Sequence, residues 1–194
     1  ENQARGAHWK LQALGETTCE NAVTARKPSG LDSNFSGFVT APTISKPIKL
    51  YRYGEDGYVS IDQVAKNREL VNKIKVIISK AGSGSDAYPH QILGVPIIAE
   101  PGSICTETYL IIGVFDDIVH AKNLVSYVAT RFFRFMVSLV KNTQNAPRGV
   151  YAFVPVQDLK EPWGDEKLYK KYHITDDEIA FIESMIRPME LNGG

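Results

Sequence analysis

Cysteine is nearly missing: the 194 residues hold two, Cys19 and Cys105, too few and too far apart for a disulfide framework or a zinc site. The 4 histidines, His8, His90, His120 and His173, are scattered. None stands in a His-x-x-x-His spacing, so metal ligation is unsupported and no metal is expected in this chain. No run approaches the roughly 18 uninterrupted apolar residues of a membrane span. The nearest, Ile118 to Val140, is broken by Lys122, Arg131 and Arg134. No basic-then-apolar leader opens the chain, which starts at Glu1, and the expectation is a cytoplasmic protein, a piece of something longer, without a membrane partner. Net charge is missing too, with 22 basic against 22 acidic residues. That argues against a strong, non-specific nucleic-acid binder, whose affinity comes from phosphate neutralisation. The phosphate-cradling Gly-Lys-Ser/Thr loop, the Gly-x-Gly-x-x-Gly fingerprint and the Gly-x-Ser-x-Gly elbow do not occur.

What is present is an apolar share of 43%, ample for a core, over a length suited to one domain with an appended helical tail. Residues 16–27 read as a short helix stopped by Pro28 and Gly30. A β segment near Phe38–Thr40 precedes a hairpin formed by 48–53 and 58–61 across Gly54-Glu55-Asp56-Gly57. Asp62 is a candidate cap for a helix over 63–73, and Val76-Ile77-Ile78 is a buried-strand candidate. Strands are expected at 95–99, 106–115 and 150–155. A long helix is expected over 117–141, and tail helices over 165–172 and 176–186, the last opened by a Thr175/Glu178 capping box. The reading is α/β in the mixed α+β sense: a mixed sheet, one long helix packed on it and a short C-terminal helical tail.

The zero net charge conceals segregation. From Ile118 to Gln157 there is no acid, while Lys122, Arg131, Arg134, Lys141 and Arg148 are basic. From Asp158 onward, 9 acids face 5 bases. Tyr127, Arg131, Arg134, Ser138 and Lys141 recur every three or four residues and would share one helix face, a stripe fit for phosphates. A plain solvated face is the competing reading. The loop that follows holds Asn142, Gln144, Asn145 and Arg148, the side-chain types best shaped for bidentate contact with adenine and guanine edges, although such loops are also ordinary turn chemistry. Lys80 and the following Gly-Ser loop, with Ser83 and Ser85, are candidates for gripping the opposite strand. Thr106, Glu107 and Thr108 are further candidates, Glu107 either accepting from cytosine or pairing with an Arg.

The segments Cys105-Thr106-Glu107-Thr108-Tyr109-Leu110, Arg131-Phe132-Phe133-Arg134-Phe135, Lys141-Asn142-Thr143-Gln144-Asn145, Tyr151-Ala152-Phe153-Val154-Pro155 and 178–189 resemble the carboxy-terminal part of bacterial restriction–modification adenine methyltransferases of types II and IIG. Arg26–Phe35 resembles the junction where the methylase body hands over to target recognition. The resemblance implies a linker over 1–34, a DNA target-recognition domain over 35–160 and a helical tail over 161–194. It implies double-stranded DNA and the parent's methylase domain as partners, and directed methyl transfer from S-adenosylmethionine to adenine. The (Asp/Asn)-Pro-Pro-(Tyr/Phe) motif and the Gly-rich cofactor turn of such enzymes do not occur here. The match is therefore to the part that chooses sequence, with no catalytic residue in this chain. S-adenosylmethionine, and Mg²⁺ if a nuclease is fused, would belong to the parent protein.

Three other readings stay open. A type I specificity subunit uses similar domains but pairs them through long coiled helices. A metal-dependent nuclease would use Asp158 and Lys160, of which only the acid-x-Lys half is present. A protein-docking domain would use the acidic tail helices.

Overall fold

The computed structural model describes residues 17–24, 26–82 and 88–191. Its class is mixed α+β, as the sequence suggests, but the strands divide into two small sheets. In the first, β1 (Ile48–Tyr51) pairs antiparallel with β2 (Gly57–Val59), register Ile48↔Val59 and Leu50↔Gly57. This is the expected hairpin, turned at Gly54 with φ +89°, where a glycine takes the left-handed region without strain. The second sheet centres on β3 (Ile74–Ser79), flanked antiparallel by β4 (Ile97–Ala99) and β6 (Tyr109–Phe115). The expected strand over 106–115 is shortened to β6. Residues 106–108 turn before it, closed by Tyr109 N–H to Thr106 C=O at 3.1 Å, and the unexpected β5 (Ser103–Cys105) just ahead lies parallel to β1. Tyr51 and Cys105 from the first sheet pack with Ile77, Ala99 and Ile111 from the second, joining the two.

The long helix of the sequence reading is two helices, α1 (Ile118–Ala129) and α2 (Arg131–Ser138). Thr130 between them is extended, with φ −64° and ψ 149°. Its hydroxyl donates to Tyr127 C=O at 2.7 Å and accepts from Phe133 N–H at 3.1 Å. The carboxylate of Asp165 accepts from Arg131 N–H at 3.1 Å and Phe132 N–H at 2.9 Å. The donors a new helix N-terminus leaves unpaired are thus met by two side chains, which makes the break affordable. Asp165 opens α3 (Asp165–Lys171), and α4 (Asp176–Met185) follows with the expected capping box.

Three other expected elements are replaced. Among the described residues of 16–27 only Cys19–Ala22 winds, as a 3₁₀ turn, because Thr24 exchanges backbone and hydroxyl bonds with Ile111 of β6 (2.9 and 3.0 Å). Over 63–73 there are two 3₁₀ turns, Ile61–Gln63 and Arg68–Leu70, separated by left-handed Asn67. Ala65 and Lys66 N–H both go to Ser29 C=O instead of a helix ladder, and the cap is Ser60 rather than Asp62. The strand expected at 150–155 is a 3₁₀ turn, Arg148–Tyr151, continued by local bonds such as Val154 N–H to Tyr151 C=O at 3.1 Å. Its buried residues Val150, Tyr151 and Val154 follow helical rather than alternating spacing.

The principal core gathers Val76, Ile78, Leu110 and Ile112 from the sheet with Leu124, Val128, Phe132, Phe133, Met136 and Val137 from α1 and α2. Phe132 stacks on Tyr172 and Phe135 meets Phe181 edge-on, which docks the tail helices. A second cluster, with Ile48, Leu50, Val59, Val64, Val71 and Ile104, lies under the hairpin. Among the described residues no helix is long and apolar enough to cross a membrane.

Candidate nucleic-acid interface

The segment leaving β3 is laced to the loop that follows α2. Ala146 N–H donates to Lys80 C=O at 2.7 Å, and Gly82 N–H to Gln144 C=O at 2.8 Å, around an antiparallel bridge between Ala81 and Asn145. Lys80 N–H in turn donates to Thr108 C=O at 2.8 Å. Ala146 is fully buried, so the loop is pegged into the core while Asn142, Thr143, Gln144 and Asn145 face outward. Lys80 and Lys141 are half-buried at the same edge. Gly82 makes the close approach possible: a Cβ there would lie 2.8 Å from Ile92 C=O and 3.2 Å from the Lys141 ammonium. The β3 exit, the 106–108 turn and the 141–146 loop, three separate candidates in the sequence, therefore meet at one edge.

The arginines do not join them there, which corrects the basic-stripe expectation. Arg134 is 0% exposed. Its Nε donates to Thr130 C=O at 3.2 Å, Nη1 to Gln91 C=O at 3.2 Å and Nη2 to Ala129 C=O at 3.0 Å. Burial lowers its pKa to about 10, partly offset by Asp165, and it stays charged at neutral pH. In this position it ties α1, α2 and the 91 loop together instead of reaching a phosphate. Tyr127, of the same stripe, is also buried, donating to Pro155 C=O at 2.7 Å. Arg131 pairs with Glu183 at 3.0 Å. Arg148 donates to Glu20 C=O at 2.8 Å and to the Asn21 side-chain oxygen at 2.9 Å, fastening the 19–22 turn.

Thr106 is fully buried, its hydroxyl 2.7 Å from that of Thr108. Glu107 pairs with Arg26 at 2.8 Å, the second of its two alternatives, and that hydrogen bond holds its carboxyl below the usual range. Ser83 and Ser85 lie outside the described residues. Asp158 and Lys160 pair with each other on the surface at 3.7 Å. Among the described residues no group of three or more His, Cys, Asp or Glu side chains is placed to hold a metal ion.

Lys75 went unnoticed in the sequence. Its ammonium, on the strand that leads to Lys80, is enclosed and donates to the carbonyls of Leu70, Val71 and Lys73 at 2.9, 3.3 and 2.7 Å. The signal available was a single charge inside the apolar run 74–78.

Compared with family models, curated proteins and solved structures, the chain matches none of them.

Proposed function

We propose that this chain is a duplex-DNA recognition module serving an adenine-specific methyltransferase of a restriction–modification system. The observation that supports the reading most is the lacing of Lys80–Gly82 to Gln144–Ala146, which sets outward Asn142, Gln144 and Asn145 beside two lysines. Amide side chains on a backbone-pinned loop suit base-edge contact, and lysines at its margin suit phosphates. Lys141 keeps the phosphate role of the stripe and Lys80 its grip on the backbone, while Arg131 and Arg134 of the stripe and Arg148 of the loop position the scaffold instead. No residue of this chain is assigned to S-adenosylmethionine or Mg²⁺; methyl transfer falls to the methylase domain.

Binding of labelled duplexes, followed by anisotropy over a range of salt, tests this. Lys80→Gln and Lys141→Gln should each weaken all sequences alike and reduce the salt slope by about 0.9, one phosphate's share. Gln144→Ala should relax sequence preference instead. Unchanged affinity and slope in both lysine variants would remove the basis for this interface.

A further inference from the structure

Residues of β6, α1, the 19–22 turn and the stretch 156–159 enclose a cleft of about 330 Å³, within the range of small-ligand sites. Ile112, Val114, Phe115, Leu124, Val156 and Leu159 supply apolar wall. No Asp, Glu, Lys, Arg or His is among the described residues that line it. Its polar side chains are engaged within the chain. The Tyr127 hydroxyl donates to Pro155 C=O at 2.7 Å and accepts from the Gln157 amide at 3.4 Å. That amide also donates to the Tyr172 hydroxyl at 2.7 Å, and its oxygen accepts from the Lys171 ammonium at 2.8 Å. The Cys19 thiol donates to Pro155 C=O at 3.6 Å, and burial pushes its pKa up to about 12, so it carries no charge at neutral pH. Two of the lining residues, Ala22 and Val156, are exposed and mark where the cleft meets solvent.

These walls select by what they withhold. An ion would give up hydration on entry and meet no charged side chain in return. An apolar body gains from each part of its surface taken out of water. A dry apolar cavity of roughly 150 Å³ takes up benzene, so this larger cleft has room for a ring with an alkyl substituent or for two fused rings. We propose that the cleft bounded by β6, α1 and the 19–22 turn binds an uncharged, hydrocarbon-like small molecule of one or two rings. The site shares no lining residue with the Lys80–Ala146 edge and does not depend on the DNA reading.

The probe is ethylbenzene, titrated into the full chain and followed by amide and methyl chemical shifts. Benzylammonium serves as its cationic counterpart and phenylacetate as its anionic one. The expected result is saturable shifts at Ile112, Leu124 and Val156 with ethylbenzene, and at least tenfold weaker binding of both ions. Val156→Asp places a carboxylate at an exposed point of the wall. It should weaken ethylbenzene and erase or reverse its tenfold lead over benzylammonium. Should Val156→Asp not fold, Ala22→Asp repeats the test at the other exposed wall position. No saturable shift at the highest soluble concentration, shifts confined to residues away from the cleft, or equal binding of either ion to the unaltered chain would overturn the proposal. So would an unchanged ranking of ethylbenzene and benzylammonium in a folded Asp variant.

Discussion

Replacing Arg134 by Met separates a buried scaffold role from a phosphate-gripping one. Met retains most of the apolar stem and deletes the guanidinium, so three backbone carbonyls, of Ala129, Thr130 and Gln91, lose their donor. A hydrogen bond from a charged donor contributes roughly 1.5–3 kcal/mol, which puts the gross loss at about 5–9 kcal/mol. Removing the charge also relieves its desolvation penalty. The fall in pKa from 12.5 to about 10 corresponds to about 3 kcal/mol of that relief. The net expectation is a loss of about 2–6 kcal/mol, spanning the range found when one member of a buried polar cluster is removed. Urea unfolding followed by far-UV circular dichroism reads it directly, through a lower midpoint at unchanged slope. A variant within about 0.5 kcal/mol of the unaltered chain, the scatter of ordinary surface substitutions, would refute the cradle. Unchanged stability combined with a uniform loss of DNA affinity would return Arg134 to the surface as a phosphate contact.

Thr130→Ala removes the hydroxyl that accepts from Phe133 N–H and should cost about 1–2 kcal/mol by the same unfolding assay; no loss would mean that Asp165 alone sustains the break. Lys75 is 2% exposed, and burial lowers its pKa from 10.5 to about 8. Because the folded-state value is the lower one, the unfolded chain binds the proton more tightly between the two. Stability contributed by this group therefore rises from pH 8 to 10.5, by about 3 kcal/mol at 1.36 kcal/mol per unit. The difference between the unaltered chain and Lys75→Met, measured by urea unfolding across that window, should grow accordingly. A flat difference would mean that the ammonium is solvated.

The legible parts of this fold are those whose local signals agree with their surroundings. The 48–59 hairpin announces itself by alternation around a Gly-containing turn, and α4 by a capping box that forms as written. The break at Thr130 is hidden because α1 and α2 bury their apolar residues in one core, so periodicity runs across it. Its cap partner Asp165 stands 35 positions away, beyond any local window. Arg134 reads as a stripe member because spacing places it on a face without saying what covers that face. The 91 loop, which covers it, is remote in sequence. The turns at 61–70 and 148–151 replace regular elements because their backbone donors find acceptors in Ser29 or within the turn itself, competition that propensity cannot weigh. Within the candidate interface, residue types were legible and their assembly was not. The grouping of Lys80 with Gln144 and Asn145 depends on the Ala81–Asn145 bridge, a pairing between segments more than sixty residues apart.

Selection of this chain's binding sites from a randomised duplex pool, at low and at moderate salt, tests the DNA reading most directly. The expected result is enrichment of one short motif, with affinity falling as salt rises and the motif blurring in Gln144→Ala. A pool left unenriched by the chain, with weak binding identical to that of a Lys80→Gln, Lys141→Gln double variant, would contradict it.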